Sequence, residues 1–438
     1  MPIKIELSQH EKNNKIQEIL DKYTSTNTLD KPIVPGIVAG YATSNEIKYV
    51  GASGVLKHKE SNKPRSAVDG DDSATDTTNK MQKDSLFLLW STTKAVTVTA
   101  LFQLIERGLV NLHDPVEKYL PEFEFKKVIK SMNSETAEME VEELKTKPTI
   151  HHLTTHTAGF GYFFFNKYYK TIMDVKSRGN VLNCTYGEFD DVPLNFQPGT
   201  QWEYGTNIDF VGAIVIKVSG LSLEEYFQKN IFDKCDIHTM KFNLVDEKDH
   251  PTLSNIHIRD TNDPTRFIHI TEKLTPSTPE FQCGGHGMFG TVGDYLKFLQ
   301  IFINDGVSPI TGQRILSHET LVNHAFKDQL KEMSLQPGNE NCHFKDLPSA
   351  DAAVTNPVSV YPGVKKGWTN FFMINEDYIE QVNRPKNSLM WCGLANLYYV
   401  INLEKKLVMY WAESVFPFAD KSSFIGFSEF EKFVNSEC

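Results

Sequence analysis

The stretch LLWSTTKA (residues 88–95) opens an apolar run that continues as VTVTALFQLIERGLV. Apolar residues occupy nearly every side of this run in helical projection, which predicts a buried helix over residues 91–107 with Gly108 as its C-terminal cap. Ser91 and Lys94 stand three positions apart, so both side chains project from one face of that helix. The sequence therefore places a hydroxyl beside an amine at the start of a buried helix.

Ser91 and Lys94 have the chemistry of a nucleophile and its base. A serine hydroxyl attacks poorly unless a neighbouring base removes its proton, and burial suits lysine to that task by lowering its pKa. A helix N-terminus also favours developing negative charge. Ser91 is the only serine in the chain with lysine three positions on. The spacing alone leaves an alternative open, in which Ser91 only caps the helix and Lys94 extends to solvent.

Composition excludes several classes of protein. A net charge of −11 argues against a nucleic-acid partner, because phosphate contact needs clustered Lys and Arg. The N-terminal stretch MPIKIELSQHEKNNKIQEIL lacks the apolar region of a signal peptide, and no apolar run reaches membrane-spanning length, so a cytoplasmic location is expected. The six cysteines form no C-x-x-C pair, which favours reduced thiols over a disulfide framework or a zinc site. The oligomeric state is left open.

The periodicity of the remaining chain predicts an α/β (α+β) protein. Strands near both ends with helices between them predict a sheet lobe from residues 1–115 and 285–438, a mostly helical lobe from 116–284, and an active site between the lobes. The polar segments 57–85 and 124–148 are predicted as an exposed loop and a charged insertion. The other predicted elements are helices at 10–23, 206–220, 294–305 and 422–434, two strands around a turn at 43–46, and strands at 369–374, 396–403 and 407–414.

Five segments, in order along the chain, resemble the serine β-lactamase-related family. That family spans class C β-lactamases, penicillin-binding proteins, family VIII carboxylesterases and lovastatin-type acyltransferases. The resemblance covers residues 35–413 apart from the charged insertions, and it implies a β-lactamase/transpeptidase-like fold with a central antiparallel sheet, flanking helices and an inserted helical lobe. The segments are LFLLWSTTK…PEF (86–123), TIHHLTTHTAGF (149–160), QPGTQWEYGTNIDFVGAIVIKVSG (197–220), GGHGMFGTVGDYLKF (284–298) and SLMWCGLANLYYVINLEKKLVMY (388–410).

The resemblance assigns roles to individual residues. It implies that Ser91 is the nucleophile, Lys94 its base and Tyr204 the third catalytic residue, with the backbone N–H groups of Ser91 and Leu394 forming the oxyanion hole. A tyrosine beside an ammonium group is expected to lose its proton more easily than usual, so that Tyr204 relays a proton between Ser91 and a leaving alcohol.

Two departures from the family pattern bear on the substrate. Where β-lactamases have Y-x-N this chain has Tyr204, Gly205 and Thr206, so the asparagine that binds a β-lactam amide is missing and Asn207 comes one place late. Where they have K-T-G this chain has Trp391, Cys392 and Gly393, so no lysine is available there to pair with a substrate carboxylate. Both departures favour neutral esters or thioesters.

The residues expected to contact substrate surround these motifs. Trp391 and Gly393 lie in the W-C-G motif and Thr206 follows the motif tyrosine, whereas Trp368, Tyr162 and Phe163 are candidates for apolar lining. By the same resemblance, His156 and His286 are expected to be structural. Cys392 is read as a small packed residue rather than a second nucleophile.

The leading hypothesis is a cofactor-free serine carboxylesterase or acyltransferase that works through an acyl-Ser91 intermediate and needs no metal. Its expected partners are a small-molecule ester or thioester as acyl donor and an alcohol or acyl carrier as acceptor, with hydrolysis expected first and transesterification as the alternative. Two rival hypotheses are a β-lactamase or D-amino-acid-specific peptidase, and a binding or scaffold protein that has lost catalysis on the same fold.

Overall fold

A computed structural model describes residues 6–24, 34–58, 77–245, 251–260, 262–263, 266–270 and 274–438. The strands in these residues are β1 (Gly36–Thr43), β2 (Ile47–Gly54), β3 (Phe87–Leu88), β4 (Lys127–Met132), β5 (Met139–Glu143), β6 (His257–Arg259), β7 (Phe267–His269), β8 (Phe289–Gly290), β9 (Lys366–Trp368), β10 (Met373–Asn375), β11 (Leu389–Gly393), β12 (Leu397–Asn402), β13 (Leu407–Ala412) and β14 (Val415–Phe416). The α-helices are α1 (Gln9–Thr24), α2 (Thr93–Glu106), α3 (Ile150–Thr154), α4 (Lys167–Lys176), α5 (Tyr186–Asp190), α6 (Asn207–Ser219), α7 (Leu223–Phe227), α8 (Val292–Ile303), α9 (His318–Thr320), α10 (Gln329–Ser334) and α11 (Lys421–Glu437).

Seven strands form one antiparallel sheet in the order β2-β1-β13-β12-β11-β10-β9. The register of its centre pairs Val38 with Ala412 and Tyr398 with Trp411. Every residue of β12 and β13 is buried, which explains why these strands are almost continuously apolar instead of alternating. The central antiparallel sheet is confirmed, and its strands come from residues 36–54 and 366–412.

Helices cover both faces of this sheet. Successive side chains of a strand point to opposite faces, and in β13 the ring of Tyr410 stacks at 4.5 Å on Tyr295 of α8, while the ring of Trp411 lies 5.8 Å from Phe430 of α11. Helix α2 begins on the Tyr410 side, because the hydroxyl of Tyr295 donates to the carbonyl of Thr92 at 2.7 Å. The start of α2 therefore lies on the α8 face, and α11 lies on the opposite one.

Two predicted segments differ in detail from the structure. The charged insertion 124–148 contains the hairpin β4–β5, whose strands carry charges on their exposed positions and so give little apolar signal. The predicted strand 369–374 is largely a turn between β9 and β10, in which the N–H groups of Phe371 and Phe372 both donate to Thr369 Oγ1. Most of the predicted loop 57–85 lies outside the described residues.

Within the described residues, no helix combines the length and the apolar character that crossing a membrane requires.

Candidate active site

The backbone before α2 presents Ser91 at a tight bend. Residues Trp90–Thr92 form a 3-10 turn between β3 and α2, and Trp90 has a left-handed φ of 49°. A non-glycine residue in this region costs about 1–3 kcal/mol and persists only where its surroundings hold it. Here the buried indole of Trp90 packs edge-on against Phe416, with ring centroids 5.5 Å apart. The packing of Trp90 thus fixes the position of Ser91.

Lys94 lies one turn further on and is almost completely buried. Its Nζ is 3.1 Å from Ser91 Oγ and 2.8 Å from both the Tyr162 hydroxyl and the Gly285 carbonyl oxygen. Burial lowers the pKa of Lys94 to about 7, although the negative charge of Asp209 opposes the shift. A substantial fraction of Lys94 is therefore the neutral amine near neutral pH, in position to accept the Ser91 proton.

Tyr204 completes the cluster from the segment before α6. Its hydroxyl accepts a hydrogen bond from Trp391 Nε1 at 2.9 Å, and Lys94 Nζ lies 4.8 Å from the centre of its ring. Burial raises the pKa of Tyr204 well above its usual value, because the ring and hydroxyl are removed from water. The expectation of a lowered tyrosine pKa is wrong here, since the cost of burial outweighs the polar contacts with Ser91 and Trp391 that lower it.

His156 packs against the ring of Tyr204. Its ring lies 4.8 Å from the Tyr204 ring, and its Nδ1 is 3.1 Å from Asn207 Nδ2. Burial holds the pKa of His156 well below its usual value, so the ring is neutral. The contact also shows how Asn207 is used: its side-chain amide binds His156 and the Phe160 carbonyl oxygen. Asn207 therefore does not replace the asparagine that is missing from Y-x-N.

A narrow cavity of about 20 Å³ adjoins Ser91, room for roughly one water molecule. Apart from Ser91 and Tyr204, its walls are almost entirely apolar, and no lysine, arginine or carboxylate is among them. Cys392 is part of the wall, and burial raises the pKa of its thiol, so it stays protonated. The lining residues are Ser91, Phe164, Phe165, Tyr204, Leu347, Trp391, Cys392, Gly393, Leu394 and Phe418.

Some residues predicted to contact substrate line this cavity and others do not. Trp391 and Gly393 line it, whereas Trp368 packs edge-on behind Trp391 with ring centroids 4.6 Å apart. Tyr162 binds Lys94 through its hydroxyl rather than serving as apolar lining. Thr206 is buried next to the first residue of α6 and is not among the lining residues.

The aromatic wall differs from the prediction by one or two positions. In the run FFF the structure places Phe164 and Phe165 at the cavity, and Phe163 is not among its lining residues. The run of three phenylalanines predicts an aromatic wall. It does not indicate which of the three rings faces the cavity. Leu347 and Phe418 also line it but come from segments without any motif, so the sequence offered no means of finding them.

A glycine allows the end of β11 to approach the residues next to Ser91. A Cβ atom added to Gly393 would lie 2.8 Å from the carbonyl oxygen of Leu89, closer than real Cβ contacts allow. The absence of a side chain thus brings the end of β11 against the residues that precede Ser91. Leu394, the next residue, lines the cavity together with Ser91.

Comparisons with known proteins identify the family of this chain. The family described as Beta-lactamase matches residues 27–381. The chain is 29% identical over 360 residues to acyltransferase calJ of Penicillium decumbens, covering 82% of each chain. It is 30% identical over 235 residues to lovastatin esterase of Penicillium rubens, covering 52% of this chain and 57% of that one.

The fold agrees as well. A mutant of simvastatin synthase (LovD) from Aspergillus terreus superposes with a TM-score of 0.77 at 22% identity, covering 97% of this chain and 95% of that one. The family match spans most of the chain, and the sequence relatives are acyltransferases and an esterase. The chain therefore belongs to the beta-lactamase family and is a serine acyl-transfer enzyme of its acyltransferase and esterase type.

Proposed function

We propose that Ser91 is the nucleophile, Lys94 its base and Tyr204 the proton donor to the leaving group. The observation that carries this proposal is the 3.1 Å contact between Ser91 Oγ and a buried Lys94 whose pKa is about 7. An amine with a pKa near the working pH is a suitable general base, because it is both available and strong enough to take the proton.

The first step forms an acyl-enzyme. Ser91 Oγ bonds to the acyl carbon as its proton passes to Lys94 Nζ, and negative charge develops on the acyl oxygen. The backbone N–H groups of Ser91 and Leu394 are proposed to bind that oxygen, and one such donor contributes about a hundredfold or more to rate. Trp391 is placed to orient Tyr204 through its hydrogen bond.

The leaving group then needs a proton. Because its pKa is raised, Tyr204 keeps its hydroxyl proton at neutral pH and can donate it to the departing alkoxide or thiolate. The tyrosinate then recovers a proton from the Lys94 ammonium, whose Nζ lies 4.8 Å from the centre of the Tyr204 ring. Attack by water or by an alcohol on the acyl-enzyme follows the same steps in reverse.

The cavity favours a neutral, apolar acyl group on an ester or thioester donor. None of its lining residues can pair with a substrate carboxylate, and the position of the family's motif lysine holds Trp391. The small volume predicts a preference for short acyl chains, because a longer chain requires Phe164, Phe165 or Phe418 to move. A small alcohol or an acyl carrier is the proposed acceptor besides water, by likeness to the acyltransferase relative.

Neither rival hypothesis gains support from the site. A β-lactamase or D-amino-acid-specific peptidase would need groups for a substrate amide and carboxylate, and Asn207 and Trp391 do not supply them. A scaffold protein would have no reason to retain a desolvated lysine against a serine hydroxyl, which is costly to bury.

Labelling of the active serine tests the proposal. A fluorophosphonate should add once, at Ser91, with the adduct located by intact mass and peptide mapping. Ser91→Ala should abolish the adduct, whereas Ser134→Ala, a change at an exposed serine of the β4–β5 turn, should leave it intact. Folded protein that takes no label would refute the assignment.

A substrate panel then identifies the donor class. Acetyl to octanoyl p-nitrophenyl esters and matched thioesters, each assayed with and without added alcohol, should show fastest turnover for short neutral donors. The ratio of acid to transesterified product measures how water and alcohol compete. Nitrocefin turnover as fast as ester turnover would instead favour the lactamase hypothesis.

A further inference from the structure

A second cluster of reactive side chains lies beneath the active site. The Sγ atoms of Cys184 and Cys283 and a ring nitrogen of His286 all lie within 4.8 Å of one another, and all three residues are buried. Cys283 and His286 stand in a C-x-x-H spacing before β8, and Cys184 follows the 3-10 turn Val181–Asn183. The sequence did not predict this cluster, because it contains no C-x-x-C pair and Cys184 lies far from Cys283 along the chain.

The donor set suits a thiophilic metal ion. Two thiolates and one imidazole are typical zinc ligands, with Zn–S bonds of about 2.3 Å and Zn–N bonds of about 2.0–2.1 Å. Ligand atoms on a tetrahedron with such bonds lie roughly 3.3–3.8 Å apart. Cys184 Sγ is already 4.0 Å from His286 Nε2, so closure around an ion requires only small side-chain movements.

A carboxylate faces the other ring nitrogen of the histidine. His286 Nδ1 lies 3.6 Å from Asp209 Oδ1, and that oxygen accepts a 2.8 Å hydrogen bond from the Gly285 N–H. A carboxylate facing one ring nitrogen keeps the proton there and leaves the other nitrogen free for a metal. Within the described part of the chain, His286 Nδ1 and Asp209 Oδ2 are buried without a hydrogen-bond partner.

We propose that Cys184, Cys283 and His286 form a binding site for Zn²⁺. Both cysteines bind as thiolates and His286 binds through neutral Nε2, so the ligand protons pass to solvent and the two thiolate charges offset the charge of the ion. Three protein ligands leave one coordination position for water. This site stands apart from the proposed acyl transfer, although Gly285 links the two: its N–H binds Asp209 and its carbonyl binds Lys94.

Metal binding to the full-length, reduced and chelator-treated protein tests the site. After incubation with Zn²⁺ and desalting, elemental analysis should find one zinc per chain. Co²⁺ in place of Zn²⁺ should give the near-ultraviolet thiolate-to-cobalt absorption. Cys283→Ser should lose both signals, and Cys235→Ser, a change at a buried thiol outside the cluster, should keep them.

If Cys283→Ser does not fold, protection of the thiols from alkylation in the unmutated protein tests the site instead. Bound Zn²⁺ should slow alkylation of Cys184 and Cys283 at least tenfold by peptide mapping, and should leave the rate at Cys235 unchanged. Substoichiometric zinc in folded protein, unchanged binding in folded Cys283→Ser, or equal alkylation with and without Zn²⁺ would overturn the proposal. A Cys184–Cys283 disulfide that persists under reducing conditions would also overturn it.

Discussion

Trp391 Nε1 donates a 2.9 Å hydrogen bond to the hydroxyl of Tyr204, and this bond joins β11 to the segment before α6. Tryptophan has only this one polar donor, so the residue at the motif-lysine position uses it on a protein group rather than on substrate. This hydrogen bond therefore fixes the Tyr204 hydroxyl relative to β11 without a contribution from substrate.

Removing this hydrogen bond should slow catalysis through Tyr204. Tyr204→Phe should lower kcat for a simple alkyl ester such as ethyl acetate by about 10²–10⁴, the usual range for general acid–base catalysis, because a departing alkoxide needs a proton. Trp391→Phe should lower kcat by about tenfold with little change in KM, because the ring remains and only the donor is lost. The double variant should be no slower than Tyr204→Phe. Multiplicative effects in the double variant would show that Trp391 acts independently of Tyr204.

Activity should follow the protonation state of Lys94. Because the pKa of Lys94 is about 7 and the neutral amine is the base, kcat/KM should rise with pH through this value and level off above it. The raised pKa of Tyr204 predicts no decline on the alkaline side up to about pH 9. Stopped-flow ester hydrolysis from pH 5 to 9 measures the profile. A bell shape centred near neutrality would contradict the assignment of Tyr204 as the protonated partner.

The same burial should make stability depend on pH. As pH rises from 7 towards 10, the unfolded chain holds a proton on Lys94 that the folded protein has largely lost, so the free energy of unfolding should rise with pH across this interval. Lys94→Met lacks this group, so wild type should gain stability relative to that variant across the interval. Urea unfolding at several pH values measures the difference. Lys15→Met, a change at an exposed lysine of α1, serves as the control. The difference in the free energy of unfolding between wild type and this variant should stay constant with pH.

Adding a methyl group at Gly393 should disturb the proposed oxyanion hole. Gly393→Ala places a Cβ 2.8 Å from the Leu89 carbonyl oxygen, so β11 or the residues before Ser91 must shift. We expect kcat to fall about a hundredfold, as for loss of one oxyanion donor. Gly293→Ala in α8 is the matched control, because its Cβ would meet nothing within 4 Å. Equal activity of both folded variants would exclude Leu394 from the site.

The cavity wall should control acyl length. Phe418→Ala should shift preference towards longer acyl chains, raising the octanoyl-to-acetyl ratio of kcat/KM by about tenfold or more, as expected for space that admits extra methylene groups. Phe125→Ala removes a ring that is 74% exposed and should leave the ratio unchanged. The panel of p-nitrophenyl esters provides the measurement, and an unchanged ratio in Phe418→Ala would place the acyl chain elsewhere.

The sequence predicts those parts of the molecule whose signal lies in residues close together along the chain. The buried helix at Ser91 and Lys94 and the nearly continuous apolar strands β12 and β13 are local features, and the family was recognisable from five ordered segments. The hairpin β4–β5 was not predicted, because only Val128 and Ile129 of β4 are buried and β5 is largely exposed and acidic.

What could not be predicted depends on long-range packing. The pKa of Tyr204 is raised chiefly by its complete burial, and no motif reports burial. Leu347 and Phe418 reach the cavity from segments without a pattern of their own, and a single-residue shift decides whether Phe163 or Phe164 faces it. Cys184 meets Cys283 only once the chain has folded.

The placement of α11 opposite the catalytic face has a practical consequence. Helix α1 packs beside α11, and Lys22 of α1 forms a 2.6 Å ion pair with Glu429 of α11, so both helices lie on the side of the sheet away from Ser91. A tether introduced at position 18 of α1, where the Glu18 side chain is 64% exposed, would join a solid support to the side of the sheet away from Ser91. The fold thus supplies a position for oriented immobilisation.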